Sequence, residues 1–204
     1  MPNLRPVSPH RAPLPYFGTV ALWRAGALAG ALAFRRNETF QRRSVRNRCV
    51  IGTAQGRHTL SVPLLAGKHE ALPIAATRIS YADDWRRVHY TSLVTAYGSA
   101  PFWEEYSEAL RPLYMRKPDL LWDWNRGLVE WVAAELDLGI GLATVDDFRP
   151  AVDTRKHTLG PDPRLPAYPQ VFTERTGFLS NLSVLDLLMC RGPAAANYLS
   201  APLS

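Results

Sequence analysis

The sequence predicts a mixed α/β fold, with strands and a hairpin toward the N-terminus and a largely helical C-terminal half. Three observations predict it: a helix-to-strand step between Phe17 and Phe34, two β-prone runs between Cys49 and Val62, and successive segments of helical periodicity from Asp83 to Leu138. A chain of 204 residues with 47% hydrophobic content buries a full core, and one domain over 1–204 is expected.

Phe17 to Leu28 is apolar and rich in helix formers, and Ala29 to Phe34 then reads as a buried strand feeding Arg35 and Arg36. Cys49-Val50-Ile51 and Thr59-Leu60-Ser61-Val62 flank the connection GTAQGRH, whose two glycines suit a β-hairpin. Leu64 to Ser80 carries breakers at Gly67 and Pro73, so it reads as a loop with one short strand near Thr77 to Ile79. A helix opens at Asp83 or Asp84, whose carboxylates suit a cap, and runs to Tyr97 with Trp85, Val88, His89, Ser92, Leu93 and Ala96 at helical spacing. Two more follow: Phe102 to about Met115, with Pro112 kinking or ending it, and Leu120 to Leu138, with Leu121, Trp124, Leu128, Trp131 and Val132 along one face. Five prolines between Pro150 and Pro169 predict an irregular excursion, the candidate for a mobile lid. Ser183 then caps a last helix, with Asp186 three residues on, which Gly192-Pro193 closes.

The net charge of +6 points to an anionic partner, yet only Lys68, Lys117 and Lys156 among the 24 basic residues are lysines. An arginine bias of that size arises from GC-rich coding without a ligand, so local clustering carries more weight than the total. Cys49 and Cys190 lie far apart and give neither a disulfide framework nor a metal motif, which fits a reducing compartment. The opening MPNLRPVSPHRAP lacks the apolar core of a secretory signal, and Val20 to Phe34 is interrupted by Arg24 and too short to span a bilayer, so a cytoplasmic protein is expected. The five histidines show no metal-ligand spacing, and neither a P-loop, a dinucleotide fingerprint nor a nucleophile elbow occurs. No metal is predicted, and no cofactor is specified.

Two features remain for chemistry. Six arginines fall between Arg35 and Arg48, and the guanidinium fork matches phosphate or carboxylate oxygens. If that stretch is extended, Arg42, Arg46 and Arg48 share a face; the plain alternative is a solvated basic edge. His89 lies on the apolar side of its helix with Tyr97 close to the same face, placed either as a general acid or base facing a cleft or as a hydrogen-bonded core histidine.

The series Gln41-Arg-Arg-Ser-Val-Arg46-Asn47-Arg48-Cys49, Leu60-Ser-Val-Pro63, Trp85-Arg-Arg-Val-His89, Ala96-Tyr97-Gly-Ser-Ala-Pro101-Phe102, Asn125, Gln170-Val-Phe172 and Gly177-Phe178-Leu-Ser-Asn181-Leu182-Ser183-Val-Leu-Asp186 resembles the WbqC-like family over roughly residues 13 to 200. Its members are bacterial and often encoded among surface-polysaccharide genes. The resemblance implies an O-antigen-like biosynthetic role, with amino-acid transfer suggested for some members. By position it implies His89 and Tyr97 as catalytic candidates and Arg46, Asn47, Arg48, Asn125, Gln170, Asn181 and Asp186 as substrate-binding candidates. The family opens on a strand reminiscent of adenylyl-transferring folds; the proline-heavy stretch from Ser8 to Gly18 departs from it, as does Asn37-Glu38-Thr39-Phe40.

The leading expectation is an aminoacyl- or acyl-type transferase acting on a nucleotide-linked or lipid-linked sugar, a sugar-phosphate or other anionic small-molecule substrate, with Arg46 and Arg48 on the phosphates and His89 as base. A non-catalytic assembly partner would scatter these residues. A nucleic-acid binder, the less favoured reading, would spread the arginines across an open face. The transferase reading expects Arg46, Arg48, His89, Tyr97 and Gln170 to meet in one cavity.

Overall fold

A computed structural model describes residues 9–65, 72–146 and 159–202. The fold is mixed α/β, as the sequence predicts. Three strands, β1 (His10–Ala12), β2 (Ala31–Arg35) and β5 (Gly141–Val145), form a parallel sheet in the order β1-β2-β5. Strands β3 (Arg48–Thr53) and β4 (Gly56–Ser61) form the antiparallel hairpin, with Arg48 opposite Ser61 and Thr53 opposite Gly56.

Helix α1 (Val20–Ala29) joins β1 to β2. Thr19 Oγ1 accepts the Leu22 amide at 3.4 Å, and Gly30 closes the helix at φ +68, a left-handed turn that a side chain would strain. The hairpin strands run longer than expected. The turn is the two residues Ala54 and Gln55, with Gly56 at φ +101 beyond it, so Arg57 and His58 belong to β4 and not to the connection.

After a 3₁₀ turn at Ile74–Ala76 come α2 (Trp85–Tyr97), α3 (Trp103–Met115) and α4 (Leu121–Leu136). The expected strand near Thr77 to Ile79 reduces to single bridges, Leu64 with Ile79 and Arg78 with Leu120. Asp84 occupies the cap position of α2, but its carboxylate meets Arg87 Nε at 3.1 Å instead of the free amides. Pro112 lies inside α3 only three residues from its end, where its missing N–H removes one bond near a terminus.

Besides the 3₁₀ turn, four elements among the described residues go beyond the sequence reading: β1, β5, the single turn α5 (Thr173–Thr176) and α7 (Ala194–Ser200). Strand β1 lies within the proline-heavy lead-in, so that stretch does contain a strand. Strand β5 is nearly all exposed and thus lacks an alternating pattern. The turn α5 precedes α6 (Val184–Arg191).

The core is continuous from Tyr16, Phe17 and Trp23 through Trp85 and Trp124 to α6, in which every residue from Val184 to Cys190 is buried. Backbone bonds tie α6 into place: Val20 N–H to Leu182 O (3.0 Å), Val184 N–H to Gly18 O (3.0 Å) and Ser183 N–H to Val50 O (2.7 Å). They hold the start of α6 beside both the start of α1 and strand β3.

Residues 147–158, and with them the first part of the expected lid, lie outside the described residues. Residues 159–169 carry no helix or strand, but Leu165 and Tyr168 are buried and Arg57 donates to Leu159 O at 2.5 Å. This part packs as a strap against the body. Among the described residues no helix is long and apolar enough to cross a membrane, and no group of three or more His, Cys, Asp and Glu gathers for a metal.

Candidate functional site

An open groove of about 720 Å³ runs between the hairpin and the outer face of α2. Thr53, Gln55, Arg57 and His58 form one wall, and Arg87, Val88, Thr91, Ser92 and Thr95 form the other, with Ala96 and Phe172 at one end. The helical period produces the second wall, since 88, 91, 92 and 95 share one side of α2 while Trp85, His89, Leu93 and Ala96 turn inward. Ser92 Oγ donates to Val88 O (2.9 Å) and Thr95 Oγ1 to Thr91 O (3.0 Å), which leaves their oxygen lone pairs to accept from a ligand hydroxyl. Arg57 is half-buried and pinned to Ser180 O at 2.6 Å. Burial lowers its pKa, and it brings fixed positive charge to the wall.

Beside the Phe172 end lies a buried polar cluster around Asp186. Tyr168 Oη donates to Asp186 Oδ1 at 2.7 Å, Gln170 Nε2 to the same oxygen at 2.8 Å and Tyr97 Oη to Oδ2 at 3.1 Å. Tyr97 Oη in turn accepts the Gly52 amide at 3.3 Å. Gln170 is itself fixed by Leu179, whose amide donates to Oε1 at 2.8 Å. Asp186 is 2% exposed and meets no cation among the described residues; burial pushes its pKa up to about 6, against the opposing pull of its three donors. Burial likewise raises Tyr97 and Tyr168 well above the ordinary phenol value, so both stay protonated and donate.

Gly52 lets this cluster approach the hairpin: a Cβ there would sit 3.0 Å from Leu182 Cδ1 and 3.2 Å from Asp186 Oδ2. Gly52→Val is therefore expected to destabilise the protein by about 2 kcal/mol through overpacking. Urea unfolding checks this, and an unchanged midpoint would refute the contact.

The structure thus brings Tyr97, Gln170 and Asp186 together. It places the other candidates elsewhere, so the convergence of Arg46, Arg48, His89, Tyr97 and Gln170 on one cavity, which the sequence led the transferase reading to expect, does not occur among the described residues. His89 is buried in an aromatic nest: its Nδ1 is 2.9 Å from Tyr16 Oη, which is also 2.7 Å from Tyr114 Oη, and Trp85 stands edge-on at 5.1 Å. Burial, and secondarily the nearby His58, lowers its pKa to about 4, so the ring is neutral near pH 7.

Arg46 is 1% exposed, and its Nε pairs with Glu38 Oε1 at 2.8 Å. The stretch before it is a series of turns, so the shared face expected of Arg42, Arg46 and Arg48 does not form. Asn125 is fully buried and donates to Leu14 O (3.1 Å) and Arg46 O (2.7 Å), stapling the β1–α1 connection to the arginine segment. Asn181, at φ +54, accepts the Ala21 amide at 3.1 Å and donates to Gly160 O at 2.9 Å, which ties the start of α1 to the strap. Asn47 and Arg48 line a different cleft at the far end of β3.

The sequence reading missed Tyr168, His58, Arg57 and Arg87. Tyr168 sat unmarked among the prolines. Arg57 and His58 were assigned to a turn, where side chains have no common face, whereas in β4 they acquire one.

The profile described as the WbqC-like protein family matches residues 14–159. No curated protein and no solved structure matches the chain. The matched stretch runs from the β1–α1 connection through β5 and so contains both walls of the groove, with Tyr97 and Gly52, while Tyr168, Gln170 and Asp186 pack onto it from beyond. On a match over well above half its length, the chain belongs to the WbqC-like protein family.

Proposed function

We propose that this protein is an acyl- or aminoacyl-type transferase of bacterial surface-polysaccharide assembly, and that it holds a phosphate-bearing sugar in the groove between the hairpin and α2. The observation that carries the reading is the groove itself. Its volume of about 720 Å³ suits a sugar nucleotide or similar ligand, and its walls combine cations, hydroxyls and one aromatic ring. Arg87 and Arg57 supply charge for phosphate, Ser92 and Thr95 accept sugar hydroxyls, and Phe172 offers a ring face to the pyranose.

His58 is the imidazole on the groove wall, and imidazole is the side chain most used for proton transfer. In this reading it takes the proton of the acceptor nucleophile as that nucleophile attacks the carbonyl of the acyl donor, and returns it to the donor's leaving group as the bond from that group to the acyl carbon breaks. His89, one layer deeper, positions α2 through Tyr16 and does not touch substrate. The Asp186–Tyr97 cluster sets the end of the groove.

Calorimetric titration with a panel of sugar nucleotides tests the proposal. Binding that weakens at least tenfold in both Arg87→Ala and His58→Ala, about 1.4 kcal/mol each, supports it. Wild-type affinity in both variants, or no binding across the panel, sinks it.

A further inference from the structure

The strap and the groove share one side chain. The strap carries Pro161, Pro163, Pro166 and Pro169, and proline has no N–H to offer a strand partner. Among the described residues the strap is therefore held to the body through side chains. Asn181 Nδ2 donates to Gly160 O at 2.9 Å, the Asp162 amide to Ser180 Oγ at 3.1 Å and Tyr198 Oη to Pro166 O at 2.6 Å. Leu165 and Tyr168 are buried beneath it. Proline also restricts the undocked chain, so docking this segment costs less entropy than docking a flexible one.

Arg57 stands where the strap begins. Its Nη1 donates to Ser180 O at 2.6 Å, and its Nη2 donates to Leu159 O at 2.5 Å and to Asn181 O at 3.5 Å. It thus clamps Leu159 to the loop before α6, and it does so from the wall of the groove. A guanidinium carries five N–H donors on one rigid plane, and these bonds use three of them. Rotating that plane breaks the carbonyl bonds, so its orientation in the groove and the docking of the strap are set together. At its other end the strap leads through Gln170, fixed on Asp186, to Phe172 at the end of the groove.

We infer that Arg57 is a latch between the two: docking of the strap sets the guanidinium where it meets a groove ligand, and a ligand held there keeps the strap docked. Such coupling is reciprocal, so whatever the docked strap adds to ligand affinity, the ligand adds to docking. The ligand's part rests on the groove reading proposed above; the strap's dependence on Arg57 does not.

Hydrogen exchange of the full chain tests this at two strap amides, Asp162, bonded to Ser180 Oγ, and Leu165, bonded to Asp162 O at 3.2 Å. Arg57→Ala is expected to speed exchange of both about tenfold, through easier local opening. Arg57→Met, which keeps the apolar stem and removes the donors, is expected to do the same while exchange within α4 stays as it was, which marks an intact fold. Arg87→Ala, on the opposite wall and paired with Asp84, is expected to leave strap exchange unchanged. Strap exchange at the unaltered rate in Arg57→Met overturns the inference. So does equal acceleration in Arg87→Ala, because the loosening is then general. With UDP-glucose as the probe, strap exchange is expected to slow about threefold in the unaltered chain and not in Arg57→Met. Binding of UDP-glucose without any slowing overturns the coupling. A failure of UDP-glucose to bind bears on the groove reading alone, and the Arg57 comparison still decides the latch.

Discussion

Replacing Arg46 by alanine is expected to destabilise the protein by about 3–5 kcal/mol, the usual cost of leaving one member of a buried ion pair without the other. The pair is well inside: the Arg46 side chain is 1% exposed, Glu38 8%, and the Nε–Oε1 distance is 2.8 Å. Solvent cannot take over the bond. Ser44 Oγ also loses the Nη1 donor at 3.3 Å, though it keeps its bond to Gln41 O. The same backbone carries neighbouring contacts, with Arg46 O receiving Asn125 and Val45 O receiving the Tyr16 amide at 2.8 Å, so the loss spreads toward the Tyr16–His89 nest.

Urea unfolding measures the effect. The double variant Glu38→Leu with Arg46→Met is expected to recover most of it, because a packed apolar pair avoids burying a lone carboxylate. A loss under 1 kcal/mol in Arg46→Ala would show that the pair is not buried as described.

The second large effect is in the pH dependence of stability, where two buried groups act with opposite sign. Asp186 titrates at about 6 in the folded protein against roughly 3.9 when unfolded, so its contribution is complete at low pH and is lost as pH rises through 6. His89 titrates at about 4 against roughly 6.5 unfolded, so its contribution is complete above 6.5 and is lost as pH falls toward 4. Each shift corresponds to about 3 kcal/mol, and between pH 4 and 6.5 the two nearly cancel.

Removing one unmasks the other. Relative to the unaltered protein, Asp186→Asn is expected to lose stability toward acid, and His89→Gln, which keeps a hydrogen-bonding group for Tyr16, to gain it. Unfolding free energies at pH 4.5 and 7 read both, and differences from the unaltered chain remove the background of surface carboxylates. Difference profiles that run flat or share a sign would refute the burial argument.

Much of the fold was legible because its signals are local. Ser183 caps α6 from within one turn, Gly192 closes it with positive φ, and the apolar stripe of α4 repeats at the helical period. Strands β1 and β5 were not legible. They have three and five residues, and β5 pairs with β2 from more than 100 positions away. A parallel strand of that length has no sequence pattern of its own.

The candidate residues divide along the same line. Side-chain chemistry marked Arg46, Arg48, His89 and Tyr97, the resemblance added Gln170 and Asp186 by position, and the family membership that the motif series suggested is shown. What it could not assign was the company each keeps. Arg46 and Arg48 are two positions apart and chemically identical, yet Glu38 draws one into an ion pair while the other lines an open cleft. His89 and Tyr97 share a face of α2, yet one meets Tyr16 from the first loop and the other Asp186 from a helix 89 positions on. The sequence by itself therefore determined the mixed class, the main helices, the Ser183 cap, the hairpin and the family. Tertiary packing alone decided which polar residues are sealed in the core and which face a groove, because burial depends on contacts between segments that are distant in the chain.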